Sequence, residues 1–127
     1  MISGSWLAID TTTDIASVAI RAGGQTIARS VRGARQHAAQ ILPLVHQVLK
    51  AAQLTLEQIA GVIVGDGPGG FTGLRIGWAA AKGLIQERRL PLIAIPSLLG
   101  AAHAAGVETV AACYDALRGE VFGAMYR

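Results

Sequence analysis

The chain has 127 residues, which is enough for one small domain or for one domain and part of another. With 52% hydrophobic and only 15% charged residues, it is not a disordered chain and it can build a sizeable core. The net charge of +3 is mild and 5% of the residues are aromatic, so composition does not predict a stacking platform for single-stranded nucleic acid. Arg29, Arg32 and Arg35 leave nucleic-acid binding open, but a solvated arginine group is the simpler interpretation.

The first part of the chain predicts an antiparallel meander followed by a helix. Alternating apolar runs separated by turn residues predict three strands, at residues 6–10, 15–21 and 25–31. Apolar residues then recur at helical spacing over residues 36–52. Pro43 lies inside this pattern, so it either kinks the helix or marks its true first turn.

The second part of the chain predicts strands that alternate with helices. The predicted strands are residues 61–65, 92–95, 107–114 and 120–126, and the predicted helices are residues 72–86 and 97–105. Thr72 is the predicted N-cap of the first of these helices. The strand at 61–65 is apolar on both faces, which is typical of an interior parallel strand.

A glycine-rich stretch joins that strand to the helix that follows it. Six glycines fall within residues 65–77. Glycine is used where φ is positive or where another backbone or a ligand comes close. Free N–H groups at a strand-to-helix turn favour an anion site, but a tight connection without a ligand explains the same spacing equally well.

The order of the elements predicts an α/β fold, a mixed five-stranded sheet with helices on its faces. This arrangement is similar to the ribonuclease H-like half of the actin, sugar-kinase and Hsp70 superfamily, whose members hold a nucleotide between two such halves. Residues 1–105 are predicted to form an N-terminal ribonuclease H-like lobe. Residues 106–127 are predicted to be the opening hairpin of a truncated second lobe.

Four segments carry a resemblance to a known family. They are Ala-Ile-Asp-Thr-Thr-Thr at residues 8–13, His37 followed by Ile-Leu-Pro at 41–43, Gly-Pro-Gly-Gly-Phe-Thr-Gly-Leu-Arg-Ile-Gly at 67–77, and Asp-Ala-Leu-Arg-Gly-Glu-Val at 115–121. Together they resemble the opening strand, the helix start, the glycine signature and a later turn of the bacterial TsaB (YeaZ) family. The family has serine in its glycine signature where this chain has Gly70.

The resemblance implies a non-catalytic subunit of the machinery that makes threonylcarbamoyladenosine beside the anticodon of tRNA. The implied partners are the catalytic paralogue TsaD and, through the complex, the ATPase TsaE, while contact with tRNA is indirect. No cofactor is implied, and the implied location is the cytoplasm. Such proteins normally have a C-terminal portion that is missing from this chain.

The same resemblance bears on catalysis. The catalytic paralogue has two metal-binding histidines where this chain has Ser97 and Ala101, and neither residue replaces an imidazole as a metal ligand. The three histidines, His37, His46 and His103, are interpreted as structural or exposed, so neither a metal site nor a catalytic residue is predicted. The alternative is an independent small-molecule kinase or metalloprotease-like enzyme of the same superfamily. The sequence has no H-E-x-x-H motif and little more than one of the two lobes that a kinase needs.

A vestigial nucleotide or phosphate pocket is predicted beside the first strand and the glycine turn. Its residues are Asp10, Thr12, Gly67, Gly69 and Gly70. Kinases of the superfamily have glycine where this chain has Thr12, a β-branched residue that resists positive φ. Asp10 is predicted either to hold a magnesium ion through water or to cap its own turn.

The partner surface is predicted on the first two helices, whose apolar stripe is wider than one sheet needs. Its residues are Ile41, Val45, Gly73, Leu74, Gly77, Trp78, Ala81 and Ile85. The small residues among them are interpreted as a ridge that a partner's helix approaches, so Gly77→Leu is expected to block association and leave the sheet intact. The same surface is expected to form a homodimer when the partner is absent. The alternative is that both helices only cover their own sheet.

Cys113 lies in an apolar run and is predicted to be a buried, inert thiol. The chain has no second cysteine for a disulfide, which fits a reducing compartment. No signal peptide and no membrane span are predicted, because Asp10 interrupts the first apolar run and Pro91 and Pro96 interrupt residues 90–107.

Overall fold

A computed structural model describes residues 4–33, 37–86, 88–117 and 119–127. The strands are β1 (Trp6–Asp10), β2 (Ile15–Ala22), β3 (Gln25–Arg32), β4 (Gly61–Gly65), β5 (Leu92–Ile95), β6 (Val110–Leu117) and β7 (Glu120–Tyr126). The first five form one sheet in the order β3-β2-β1-β4-β5. The meander of β1, β2 and β3 is antiparallel, and β1, β4 and β5 run parallel. The predicted mixed five-stranded sheet is therefore confirmed.

Two helices cover one face of this sheet. The helices are α1 (His37–Ala51), α2 (Phe71–Ile85) and α3 (Ser97–Ala105), with a short 3-10 turn at Leu56–Gln58. Helix α1 packs on β2 and β3, and α2 packs on β4 and β1. Alternate strand residues point into this layer and are buried there: Leu7, Ile9, Ala16, Val18, Ile20, Val62 and Val64. Within the described ranges, no helix is long and apolar enough to cross a membrane.

Several boundaries differ from the predicted ones. The strand predicted at residues 107–114 is β6 at Val110–Leu117, and α1 and α2 each end one residue earlier than predicted. Helix α2 begins at Phe71 with Gly70 as its N-cap, so the predicted N-cap, Thr72, is wrong and is an exposed residue of the first turn. Pro43 lies inside α1 at an exposed position, so it does not mark the first turn. The predicted start of this helix at residue 36 lies outside the described residues.

A separate hairpin of β6 and β7 packs on α3. Leu98 and Ala102 of α3 and Ala112 of β6 form its small core. Cys113 alternates with the inward-facing Ala112 and is exposed, so the prediction of a buried thiol is wrong. The division of the chain into residues 1–105 and a second-lobe hairpin stays a prediction.

Candidate functional site

Asp10 is the last residue of β1, and its side chain holds the turn that follows through hydrogen bonds to Thr12. Its Oδ1 accepts hydrogen bonds from the backbone N–H of Thr12 at 2.9 Å and from the Thr12 hydroxyl at 2.7 Å. Thr12 is 2% exposed, so its hydroxyl is enclosed by the protein. An aspartate that holds its own turn in this way fixes the path of the chain from β1 to β2.

The glycine turn closes directly onto this loop. The backbone N–H of Gly70 donates to the carbonyl of Thr12 at 3.0 Å. A Cβ atom on Gly69 would overlap the same carbonyl, and Gly67 has a φ of +99° that favours glycine. The structure therefore brings together all five residues predicted for the phosphate pocket. The Gly70 N–H, one of the predicted anion donors, is used within the chain.

Ser97 ties the glycine turn to the rest of the protein. Its hydroxyl oxygen accepts the N–H of Gly67 at 2.9 Å, and its own N–H donates to the carbonyl of Gly67 at 2.8 Å. The Ser97 carbonyl accepts the hydroxyl of Tyr114 at 3.0 Å. Sequence reasoning noted Ser97 only as a missing metal ligand. The one signal for its structural role was a serine at the start of a helix.

Tyr114 brings the hairpin close to the end of β1. Burial raises the pKa of the Tyr114 hydroxyl above its usual value of 10.0. The negative charge of Asp10 raises that pKa further, and the electrostatic interaction with the Tyr126 hydroxyl adds to the same effect. The phenol thus stays protonated and donates to Ser97, beside the carboxylate that closes the β1 turn.

Half of the predicted partner surface faces inward. Ile41 and Val45 of α1 are 3% and 4% exposed, and Ala81 of α2 is fully buried. Gly77 is also buried, and a Cβ atom there would lie 2.5 Å from the hydroxyl oxygen of Thr11. These four predicted positions are buried within the chain and unavailable to a partner, which corrects that part of the prediction. The small residues of α2 let the helix pack closely against the chain's own loop after β1. A Cβ atom on Gly73 would overlap the carbonyl oxygen of Thr11 in that loop, as one on Gly77 would overlap its hydroxyl oxygen.

Other residues of the same helices face solvent. Leu42 of α1 is 56% exposed and Phe71 of α2 is 74% exposed. Leu74, Trp78 and Ile85, three predicted interface residues, are half-buried. A cavity of about 550 Å³ lies between α1, the 3-10 turn and the end of α2. Sequence reasoning missed Leu42 and Phe71 because periodicity alone does not say which edge of a wide apolar stripe faces the sheet.

Two cations lie over the aromatic rings of α2. The Arg75 guanidinium is 5.5 Å from the centre of the Phe71 ring, and the Lys82 ammonium is 5.7 Å from that of Trp78. The Trp78 indole N–H donates to Asp66 at 3.2 Å. Phe71 is the exposed ring of the two, whereas Trp78 also packs against the core. Aromatic and arginine side chains at a surface are typical of contact surfaces.

The three histidines do not lie together in one site. His37 is 1% exposed and its Nε2 lies 2.9 Å from the Thr13 carbonyl, whereas His46 and His103 are exposed. Among the described residues, no group of three His, Cys, Asp or Glu side chains is placed to hold a metal ion. Arg29 and Arg32 are exposed on β3, and Arg35 lies outside the described residues.

Comparisons with known proteins show which family the chain resembles. The protein-family model described as "TsaD: tRNA N6-adenosine threonylcarbamoyltransferase" matches residues 29–127. The chain is 39% identical over 125 residues to "tRNA threonylcarbamoyladenosine biosynthesis protein TsaB" of Escherichia coli, covering 95% of this chain and 54% of that protein. It is 38% identical over 120 residues to the protein of the same name in Haemophilus influenzae, covering 91% of this chain and 51% of that protein.

Solved structures show the same fold. "YeaZ from Pseudomonas aeruginosa" has a TM-score of 0.90 and 33% sequence identity, and the match covers 98% of this chain and 61% of that one. The chain therefore spans about half the length of the TsaB relatives it matches and about three fifths of the solved one.

Proposed function

Because the chain belongs to the TsaB (YeaZ) family, we propose that it is a non-catalytic subunit in the synthesis of threonylcarbamoyladenosine beside the tRNA anticodon. It acts by binding the catalytic paralogue TsaD. The ATPase TsaE and the tRNA are reached through that complex, which works in the cytoplasm.

The observation that carries this proposal is the exposed aromatic and apolar edge of the α1–α2 layer. We call it the helix-layer surface and define it by the exposed Leu42 and Phe71 and the half-buried Leu74 and Trp78. Leu42 and Phe71 are among the large apolar side chains that the fold leaves exposed, and neither fills a gap in the core. A partly exposed apolar patch with an arginine and a lysine over its rings fits a protein partner.

The residue types at the position of the paralogue's metal ligands support a non-catalytic role. Ser97 uses its hydroxyl oxygen to accept the Gly67 N–H at 2.9 Å, which leaves it a structural part of the glycine turn. Ala101 offers no ligand atom. The chain therefore contributes a surface to the complex, and the chemistry belongs to its partner.

The same surface explains self-association in the absence of TsaD. A contact between two copies of one patch is isologous and closes as a dimer. Helices α1 and α2 of one copy then pack against α1 and α2 of the other as a four-helix layer. The homodimer and the complex with TsaD are mutually exclusive in this proposal, because both use the helix-layer surface.

The test combines Leu42→Arg with Phe71→Ala and measures binding to TsaD by pull-down and self-association by sedimentation. Loss of two anchors at an interface centre should weaken both associations by roughly tenfold or more. The matched control is Val121→Arg, which changes an exposed apolar residue of the hairpin and should bind normally. A folded double variant that binds TsaD as tightly as the parent chain would place the interface elsewhere.

A further inference from the structure

The outward side of α2 alternates aromatic rings with cations. Phe71, Arg75, Trp78 and Lys82 follow one another at helical spacing, so they lie along one side of the helix. Each cation lies over the ring before it, with the Arg75 guanidinium 5.5 Å from the centre of the Phe71 ring and the Lys82 ammonium 5.7 Å from that of Trp78. Both cations are exposed, so they belong to the helix-layer surface as much as the rings do.

Helix α1 adds a third cation, and neither helix has an acidic residue. Lys50 is exposed and lines the same cavity of about 550 Å³ as Leu42. The sequences of α1 and α2, 15 residues each, contain no aspartate and no glutamate. The nearest acidic residues in the sequence lie outside both helices: Glu57, Asp66 and Glu87. Protein surfaces normally mix charges of both signs, so a helix layer with only positive charge needs an explanation.

The helix dipoles explain only part of this charge. They favour a cation in the last turn, where Lys50 and Lys82 lie, and a carboxylate in the first turn. Neither helix has a carboxylate in its first turn. Arg75 lies in the N-terminal half of α2, where the dipole does not favour a cation. Helix stability therefore accounts for neither Arg75 nor the absence of acidic residues from both helices.

We propose that this charge selects the partner of the helix-layer surface. A protein whose facing helices carry aspartate and glutamate fits the surface, and a second copy of this chain fits it poorly. Because the proposed function places the interface on α1 and α2, the selection rests on that function and adds the chemistry of the partner's surface.

Self-association opposes like charges. A twofold contact places the same surface of two copies against itself. Arg75, Lys82 and Lys50 of one copy then share an interface with the same three cations of the other, and α1 and α2 supply no carboxylate between them. Opposed like charges weaken an interface, whereas carboxylates opposite these cations add favourable complementarity. The apolar side chains favour both associations, and the charges distinguish between them.

The first experiment measures how salt changes the two associations. Sedimentation of the chain alone and binding to TsaD are followed from about 0.01 M to about 1 M NaCl, which shortens the screening length from about 30 Å to about 3 Å. Self-association should become roughly fivefold tighter or more, because salt screens the repulsion, whereas binding to TsaD should become roughly tenfold weaker or more. Salt responses of the same direction overturn the proposal.

A neutral variant separates the charges from the apolar contact. Arg75→Gln with Lys82→Gln removes two of the three cations and keeps the rings. Its self-association at low salt should be tighter than that of the parent, and its salt response should be smaller. A neutral variant with the self-association and the salt response of the parent overturns the proposal.

The second experiment uses only copies of this chain. Arg75→Glu with Lys82→Glu makes an acidic copy, which at low salt should pair with the parent roughly tenfold more tightly than the parent pairs with itself. The matched control, Arg21→Glu with Arg127→Glu, makes the same change in net charge at exposed positions outside the two helices and should not favour mixed pairs. Circular dichroism checks each fold, and Arg75→Glu alone gives the same test should the double variant fold poorly. A folded acidic copy that pairs with the parent no more tightly than the parent pairs with itself overturns the proposal.

The proposed function and the charge selection fail in different ways. A parent chain that does not bind TsaD at any salt concentration contradicts the proposed function, and the mixed dimer still tests the selection by charge. If TsaD binds the parent and the acidic copy equally well at low salt, the proposed function stands and the selection by charge is overturned.

Discussion

Gly77 in the middle of α2 lies directly against Thr11 of the β1 loop, where a Cβ atom on the glycine would come within 2.5 Å of the threonine hydroxyl oxygen. The same hydroxyl donates to the carbonyl of Gly73, one turn earlier in the helix. The small residues of α2 thus let the helix approach its own loop. The expectation that Gly77→Leu would leave the sheet intact is therefore wrong.

A Cβ atom at Gly77 should destabilise the fold, whereas one at Gly83 should stabilise it. Gly77→Ala overpacks the contact with Thr11 and is expected to lower the free energy of unfolding by about 1–3 kcal/mol. Gly83 lies in the same helix, and a methyl group added to it would meet nothing within 4 Å, so Gly83→Ala should gain about 0.5–1 kcal/mol. Urea unfolding followed by circular dichroism measures both. Equal effects of the two substitutions would contradict the packing of α2 on the β1 loop.

The two neighbouring glycines of the turn should respond in opposite ways. Gly69→Ala pushes a methyl group into the Thr12 carbonyl and should cost about 1–3 kcal/mol of unfolding free energy. Gly70 has a φ of −64° and open space around its Cβ position, and it is the N-cap of α2. Gly70→Ser should therefore be neutral or gain a few tenths of a kcal/mol, since serine is a good N-cap. Thermal unfolding of both variants is the measurement. A lower melting temperature for Gly69→Ala alone would show that packing requires glycine at position 69 but not at position 70.

Ser97→Ala should loosen the glycine turn. The substitution removes the acceptor of the Gly67 N–H, a loss expected to cost about 1–2 kcal/mol of unfolding free energy. Ser30→Ala on the exposed edge strand β3 is the control and should change stability by less than about 0.5 kcal/mol. Amide exchange at Gly67 should become faster in the first variant alone. Unchanged exchange at that amide would show that the hydrogen bond to Ser97 does not hold the turn.

The Tyr114 hydroxyl should make stability fall at alkaline pH. Its pKa is raised in the folded protein, so the fold favours the protonated phenol. This contribution is fully present below pH 10.0 and is lost as the pH rises through the folded-state pKa. Tyr114→Phe should lose about 1 kcal/mol at neutral pH with the hydrogen bond to Ser97, and its stability should then fall less than that of the parent above about pH 10. Parallel unfolding curves of parent and variant across that range would contradict the assignment.

The sequence by itself determined the order of the elements and the position of the glycine turn. Strands β1, β4 and β5 were predicted with the bounds that the structure shows, because their apolar runs are short and end at glycine, proline or aspartate. The family resemblance rested on the same turn, where glycine is required by geometry at Gly67 and Gly69. Chain stiffness and the periodicity of burial depend on residues that are neighbours in the sequence. These features can therefore be predicted without knowledge of the tertiary structure.

Only the tertiary structure decided which side of each element faces the core. The periodicity of α2 is the same whether Gly77 and Ala81 face the sheet or a partner, and the answer depends on Thr11, 66 residues away from Gly77 in the chain. The exposure of Cys113 depends on which alternate residues of β6 meet α3. The bonds of Ser97 to Gly67 join residues 30 apart. In each case the exposed and buried sides of an element depend on contacts with distant parts of the chain. A local sequence pattern does not contain the shape of the surface on which the element packs.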